Sequence, residues 1–450
     1  MFYKNPNIAV IGDSIIDEYY CVEANKISPE FPIPIMSCES LVPYKTLPGG
    51  ASNVCYQFDN FESNVKYFGI LDENAANLIS NYKINIDNCL IVRKDDSKIP
   101  RKKRFYQDQF PLCRLDVESK NYNIDNLDFY QNEICNNLKK HNFDVAIFSD
   151  YNKGVFNDCN IKNYYDSLDS KTIKIVDPKY GPINKWFGCD LIKPNSKEAK
   201  QITGKSNWKD QARFIQQETA AKYVLITQGG EGVVGIKDDD YFEYYPDYKV
   251  QLNSVIGAGD CFISVMALCL SNNFDFFDSI RISFLAGSIY VKNKYNKPIH
   301  PLDLCESKIV DPILFKKRNF TVCFTNGCFD FGLTSGHIEC LKFAKLKADK
   351  LIVGLNSDNS VSRLKGSSRP ILPFEERAKI LSSLEFVDYI VGFEEDTPIN
   401  LINSIGPDLI VKGGDYKKEE VVGHESFPVE IFNLINCVST TDKINKINNI

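Results

Sequence analysis

The 450-residue chain is short of the residues that build metal centres. It has four histidines (His141, His300, His337, His424), and its 15 cysteines are scattered from Cys21 to Cys437 with no Cys-x-x-Cys pair. A zinc site needs such ligands at close spacing, so none is expected. The odd cysteine count and the lack of a secretory leader argue against a disulfide framework. The cysteines read as reduced, small apolar residues of a cytoplasmic protein. The longest apolar run, residues 261–270 with Ser264 inside it, falls short of the roughly 20 residues that span a bilayer, so no membrane partner is expected. An excess of positive charge is missing too: 53 Lys+Arg against 59 Asp+Glu gives a net charge of −6. Nucleic-acid binders carry a basic face, so nucleic acid is not an expected partner, and any phosphate affinity must be local.

What remains is ordinary for a globular protein, with 43% hydrophobic and 25% charged residues. That excludes a disordered chain, a collagen-like repeat or a coiled-coil rod. A single core seldom grows beyond about 250–300 residues, so two or three domains are expected. Short apolar runs at 8–11, 145–148, 173–176, 223–227 and 233–236 alternate with helix-length segments. This is the rhythm of a parallel α/β sheet. Strand ends carrying Asp150, Asp177, Asn195 and Gly229-Gly230 suggest a site along the carboxyl edge. Residues 27–36, with Pro29, Pro32 and Pro34, and the stretch from Arg101-Lys102-Lys103-Arg104 read as a β flap over that site. The pattern lapses over 304–318. A second α/β unit follows: strand 321–325, helix from Gly336, strand 351–355, helix from Phe374 and strand 409–411. The expected organisation is a domain over 1–303, a linker over 304–318 and a smaller domain over 319–450, with the boundary near 317.

Gly257-Ala258-Gly259-Asp260 immediately precedes an apolar helix. Small residues at a helix start leave backbone N–H groups open, and the helix dipole adds partial positive charge. This suits the charge on a transferring γ-phosphoryl group, and an Asp in the same turn can take the proton of an attacking hydroxyl. Gly49-Gly50-Ala51-Ser52-Asn53 offers close backbone approach and an amide for sugar hydroxyls. Asn195 and Glu198 share one turn and could hold water around Mg²⁺.

With Gly12-Asp13, these residues resemble the ribokinase (PfkB) family of sugar kinases over nearly all of residues 5–303. The likeness is strongest to its heptose kinase branch. It runs through Asn25-Lys26-Ile27-Ser28-Pro29-Glu30-Phe31-Pro32-Ile33-Pro34, Ser149-Asp150-Tyr151-Asn152-Lys153-Gly154 and Ile175-Val176-Asp177-Pro178-Lys179. The resemblance implies a ribokinase-like three-layer α/β/α domain with a β flap, using ATP and Mg²⁺. It makes Asp260 the general base and the backbone of Gly257, Ala258 and Gly259 the anion hole, with Asn195, Glu198 and Gly229 on the nucleotide side. Asp13, Gly49, Gly50 and Asn53 would hold the sugar, and Arg114 or Lys153 its distal phosphate. Two positions depart from the branch: Lys26 replaces an Arg, a point charge for a bidentate fork, and Ile256 stands where Thr is usual.

The second unit presents Asn326-Gly327-Cys328-Phe329-Asp330, then Thr334-Ser335-Gly336-His337 at a helix start. A nucleophile that is already a phosphate needs no strong base. The protein must instead gather donors around an α-phosphate and its leaving pyrophosphate. His337, Lys365 with Arg369, Lys412-Gly413-Gly414-Asp415 and Ser439-Thr440-Thr441 supply them. This set resembles the cytidylyltransferase-like nucleotidyltransferases over residues 320–446, and within them the heptose-1-phosphate adenylyltransferases. The resemblance implies a Rossmann-like α/β domain in which His337 and Lys365 are catalytic. Asn326, Gly327, Phe329, Thr334, Arg369, Lys412, Gly413, Asp415, Ser439 and Thr440 would bind the nucleotide. One departure stands out. Five residues, 331–335, separate Asp330 from Gly336 where the family has four, and Thr334 replaces the first motif histidine.

A fusion of the two resembles the bifunctional heptose-7-phosphate kinase/heptose-1-phosphate adenylyltransferases of lipopolysaccharide precursor synthesis. It implies small-molecule sugar phosphate and nucleotide partners, a separate phosphatase acting between the two steps, and a homodimer formed through the flap. Two alternatives stay open at the level of sequence: a kinase/nucleotidyltransferase for another sugar or polyol, using CTP, and a scaffold with a degenerate second domain.

Overall fold

The computed structural model describes residues 5–432, except 93–98, 109, 119–126, 158, 247–255, 293–296, 306–307, 311, 316–317, 319, 331 and 415. Asp415, Ser439 and Thr440, expected at the second site, lie outside the described residues. The chain forms two compact units, Met1–Ile299 and His300–Ile450.

The first unit is built on an eight-stranded sheet. Its order across the sheet is Asp240–Tyr244, Val233–Lys237, Tyr223–Thr227, Leu191–Ile192, Ile173–Asp177, Val145–Ser149, Asn7–Gly12 and Asn64–Phe68. Ile8, Ala9, Val10 and Ile11 are all fully buried, because a parallel sheet covered on both faces needs apolar residues at every position. Ala9 and Ile11 face a layer that includes the helices Leu127–Leu138, Ile161–Tyr165 and Trp208–Thr219. The helix Ala258–Ser271 packs against the strands Val145–Ser149 and Ile173–Asp177 and against the helix Phe276–Lys292. Layers on both faces give the expected α/β/α arrangement. The run at 233–236, read in parallel rhythm, instead pairs antiparallel with Tyr223–Thr227. Only the short turn around Gly229–Glu231 joins them, and a turn of that length makes a hairpin, not a crossover.

The flap segments form two small sheets. Arg101–Gln107 and Phe110–Val117 extend Ser14–Cys21 and Lys45–Gly50 into a four-stranded sheet. Glu23–Ile27 pairs with Pro34–Ser37 as an exposed two-stranded ribbon. Phe31, Val42 and Phe110 are between 65% and 72% exposed.

The second unit has a five-stranded parallel sheet in the order Tyr389–Phe393, Lys350–Asn356, Val322–Gly327, Leu409–Gly413, Val429–Phe432. The chain moves outward in one direction from Val322–Gly327, then returns to its other side, so the strand order reverses between Val322–Gly327 and Leu409–Gly413. Open α/β sheets bind ligands at such a reversal, beyond the carboxyl ends of the strands. The stretch expected as a linker belongs to this unit: Phe315 is fully buried in its core and Ile309 bridges to Ile390. Apolar residues spaced in short helical turns kept it from being free chain, so the unit starts at His300 and not near 317. Among the described residues no helix is long and apolar enough to cross a membrane.

Candidate functional site

In the first unit a cavity of about 300 Å³ opens at the start of the helix Ala258–Ser271. Gly257, Ala258, Gly259, Asp260, Asn195, Glu198 and Gly229 all line it, which brings the expected base and nucleotide-side residues together. Gly257 sits in the left-handed region with φ 76°, and among the described residues no side chain caps the helix. A Cβ there would lie 2.8 Å from the Tyr290 ring. Glycine is therefore required both by the turn and by the close packing. The uncapped N–H groups and the dipole face open space, the arrangement that binds anions.

Asp260 is 5% exposed. Asn53 Nδ2 donates to its Oδ2 at 2.6 Å, and Tyr151 OH donates to its Oδ1 at 2.8 Å. Burial pushes the carboxyl above its ordinary range, while Asn53, Tyr151, Lys193 and Lys179 pull it back. A carboxylate made more basic by burial yet held by two donors is suited to accept a proton. Around it stand Asp177, paired with Lys193 at 2.9 Å, and Glu198, paired with Lys179. Burial raises Asp177 to about 6, against the pull of Lys193.

Asn195 and Glu198 form a capping box: Asn195 Oδ1 accepts the Glu198 N–H at 2.9 Å, and Glu198 Oε2 accepts the Asn195 N–H at 2.8 Å. Among the described residues no group of three or more His, Cys, Asp or Glu side chains could hold a metal by itself. Three carboxylates and two ammonium groups line the cavity, leaving net negative charge. This donor set fits a hydrated Mg²⁺ carried in with nucleotide phosphates, since Mg²⁺ keeps several waters and needs no all-protein cage.

The other expected residues lie outside the cavity lining, Asn53 in contact with Asp260. Asp13 is 2% exposed, and its oxygens accept the N–H groups of Tyr151, Lys153 and Val155 at 2.9, 3.0 and 3.0 Å. Gly49 and Gly50 end the strand Lys45–Gly50, and Gly50 turns at φ 60° into the short helix that carries Asn53. Arg114 is exposed and pairs with Asp116 at 2.8 Å, and Lys153 pairs with Glu118 at 2.6 Å. Asp177, expected at the carboxyl edge, lines the cavity, whereas sequence reasoning gave Tyr151, Lys179 and Lys193 no role in it. Their signal was position: each lies at or just beyond the carboxyl end of a central strand.

In the second unit Thr334 and His337 cap the helix Ser335–Leu346 reciprocally. His337 N–H donates to Thr334 Oγ1 at 3.3 Å, and Thr334 N–H donates to His337 Nδ1 at 3.1 Å. With Nδ1 accepting, the imidazole proton lies on Nε2. The Phe329 ring meets the imidazole edge-on at 5.3 Å. The inserted residue is absorbed at Gly332, which adopts φ 83°, has no neighbour near its Cβ position and donates to Phe329 O at 3.2 Å. The cap stays intact.

Lys412 Nζ donates to Asn326 O at 2.9 Å and so spans the two strands where the sheet order reverses. Burial lowers this lysine to about 8. Asn326 Oδ1 is a buried acceptor without a partner among the described residues. Gly327 and Gly413 end those same strands. Arg369 is bound to Asp330, and Lys365 is exposed at the end of the helix Asp358–Lys365, near enough to Cys328 to influence its thiol. Arg377 escaped sequence reasoning. Fully buried, it donates to Cys328 O and Asn356 O at 2.7 and 2.8 Å and pairs with Asp358 at 2.6 Å, tying the loop after the first strand to its neighbour.

Comparison with known proteins joins the two units. Residues 157–299 match the pfkB family carbohydrate kinases, and residues 324–446 match the cytidylyltransferase-like family. The bifunctional protein HldE of Sulfurimonas denitrificans is 33% identical over 98% of this chain and 97% of its own length. The chain belongs to the HldE family of bifunctional proteins. The HldE proteins of Campylobacter jejuni and Haemophilus influenzae are 33% and 31% identical, each over 99% of this chain and 98% of theirs. The first unit has the ribokinase-like fold. Phosphofructokinase-2 from Escherichia coli, solved with substrates and products, superposes with a TM-score of 0.52 at 16% identity, over 67% of this chain and 97% of that one. The chain is thus an enzyme with a sugar kinase unit and a nucleotidyltransferase unit.

Proposed function

We infer that the first unit transfers the γ-phosphoryl group of ATP to the C1 hydroxyl of a heptose 7-phosphate, and that the second joins heptose 1-phosphate to AMP. The observation that carries this reading is the Asp260 carboxylate, held by two donors inside a cavity at an uncapped helix start. Asp260 accepts the C1 hydroxyl proton as that oxygen attacks the γ-phosphorus. The bond from the γ-phosphorus to the bridging oxygen breaks, and ADP leaves. The N–H groups at 257–259 and Lys193 meet the charge on the phosphoryl oxygens, and Gly229 lies on the nucleotide side. Mg²⁺, when bound, neutralises phosphate charge. Asn195 and Glu198 would hold its waters. The backbone at Gly49 and Gly50 and the Asn53 amide face the sugar, and its distal phosphate is held by Arg114 of the flap or by Lys153 of the loop after Val145–Ser149, once that cation exchanges its carboxylate partner for the ligand.

In the second unit an oxygen of the sugar 1-phosphate attacks the α-phosphorus of ATP, and the bond to pyrophosphate breaks. The His337 Nε2–H and the ammonium groups of Lys412 and Lys365 oppose the charge that develops. Asn326, Gly327, Phe329, Thr334, Gly413 and Arg369 shape the nucleotide side, Arg369 through Asp330. The product is ADP-heptose. A separate phosphatase removes the 7-phosphate between the steps, in the cytoplasm. The exposed apolar flap pairs two copies of the chain.

A second reading, another sugar or polyol phosphate with CTP in the second unit, rests on the family match at 324–446, whose description names a cytidylyltransferase. Mass spectrometry of products from a panel of sugar phosphates with ATP or CTP decides. Heptose 1,7-bisphosphate and ADP-heptose are expected. A CDP-linked product, or phosphorylation of every sugar but heptose 7-phosphate, overturns the reading.

A further inference from the structure

Asp260 is not oriented by its own helix. Its two oxygens are fixed by side chains from two other parts of the first unit, Asn53 at 2.6 Å and Tyr151 at 2.8 Å. Tyr151 stands on a loop that follows the central strand Val145–Ser149, and a loop so placed needs an anchor to hold a hydroxyl within a fraction of an ångström. Asp13 is that anchor. From beneath the loop its carboxylate accepts three alternate backbone N–H groups, those of Tyr151, Lys153 and Val155. Asp150 Oδ1 accepts the Asn152 N–H at 2.8 Å, and its Oδ2 pairs with Lys185 at 2.6 Å. Asn152 takes up the turn with φ 54°. The Tyr151 ring is flanked by the ammonium groups of Lys179 and Lys102, 5.1 and 5.8 Å from its centroid. Ring, hydroxyl and backbone are therefore each held separately.

We propose that Tyr151 is the positioning residue of the kinase base: its hydroxyl aims the Asp260 carboxylate at the acceptor hydroxyl, and Asp13 acts through Tyr151 by holding the loop in place. This gives Asp13 a different task from direct contact with the sugar. Its carboxylate is buried beside Asp150, and it is raised to about 6 by that burial and that charge even with three N–H donors opposing them. An acid kept in so unfavourable a place, with its oxygens turned to the loop, has little left to offer a sugar hydroxyl. The inference rests on the kinase reading of this cavity. A misplacement of about 1 Å at a reacting group can cost on the order of 10²-fold in rate, so the hydroxyl matters although it touches no substrate.

The test uses the full-length chain with ATP and heptose 7-phosphate. Tyr151→Phe keeps the ring between its two lysines and removes only the donor. It should lower kcat about 10- to 100-fold and leave the KM values for both substrates within about threefold. Asp13→Asn should lower kcat with little change in the sugar KM. The double variant should be no worse than the poorer single one, because residues acting through one contact are not additive. Pyrophosphate release from ATP and heptose 1-phosphate, read on the same samples, reports on the second unit, and unchanged KM values for ATP and heptose 7-phosphate report that the first unit is folded.

An active wild type with Tyr151→Phe at full kcat overturns the proposal, as does a rise in sugar KM alone. A sugar KM that rises in Asp13→Asn, with effects that multiply in the double variant, returns Asp13 to the sugar and overturns its anchoring role. Where Asp13→Asn yields no folded chain, Tyr151→Phe decides by itself. A wild-type chain that phosphorylates no sugar phosphate overturns the kinase reading and this inference with it.

Discussion

The two helix starts answer the same electrostatic problem in opposite ways. At the helix Ala258–Ser271 no side chain among the described residues caps the backbone, and the small residues leave its N–H groups facing a cavity. At the helix Ser335–Leu346, Thr334 and His337 satisfy each other's N–H groups. What the second start offers a ligand is the far side of the imidazole and the lysine at the reversal of the sheet. On the proposed function the difference follows the nucleophile. A sugar hydroxyl must lose a proton, so the first start carries a buried, more basic carboxylate with two donors fixing it. A sugar phosphate is already charged, so the second start carries a neutral donor and no carboxylate in that turn.

The largest test of that contrast is exchange of each key side chain for one that cannot play its part. Asp260→Asn should reduce sugar phosphorylation by about 10²- to 10⁴-fold while pyrophosphate release from sugar 1-phosphate stays within about twofold. His337→Ala should do the reverse, losing about 10²- to 10³-fold in nucleotidyl transfer alone. Both are read by steady-state kinetics of the two half-reactions.

A smaller effect separates the two glycines with positive φ. Gly257→Ala meets both a left-handed backbone and the Tyr290 ring at 2.8 Å. It should cost kinase kcat/KM about tenfold or more. Gly332→Ala meets only the backbone term, because its Cβ direction is open, and a penalty of roughly 1–2 kcal/mol should show as a lowered melting temperature with transfer activity reduced only a few-fold. Equal losses would mean that the first glycine is not pressed against its neighbour.

The smallest effect concerns pH. Lys412 is lowered to about 8 by burial, so its proton is held below that value and lost above it. Nucleotidyl transfer should therefore fall as pH rises through about 8, with no matching limb in the kinase reaction. Lys412→Arg should move the limb upward. A transfer profile flat to pH 9.5 would remove Lys412 from the charge that steadies the leaving group.

Legibility in the sequence followed locality. The central strands were readable because a sheet covered on both faces must be apolar at every position, as at residues 8–11. The antiparallel turn at 229–231 was not, since periodicity says nothing of strand direction. Gly257 to Asp260 and Thr334 to His337 were readable as contiguous signals. Arg114 and Lys153 looked like free cations because their partners, Asp116 and Glu118, carry no mark of pairing in the sequence. Tyr151, Lys193 and Arg377 depend on contacts between distant segments. Tyr151 meets Asp260 from 109 positions away, and such pairs are invisible without the fold. The start of the second unit was missed for a related reason: a polar stretch with a few well-spaced apolar residues, Phe315 among them, packs as core.

The central claim is that the two units act as separate catalysts, and it is tested most directly by mixing. Asp260→Asn and His337→Ala chains are combined with ATP, heptose 7-phosphate and a phosphatase specific for the 7-position. Formation of ADP-heptose is then followed against each variant alone. Separate sites predict that neither variant makes product by itself and that the mixture does so at about half the wild-type rate or better. A mixture as inactive as its components would contradict the account.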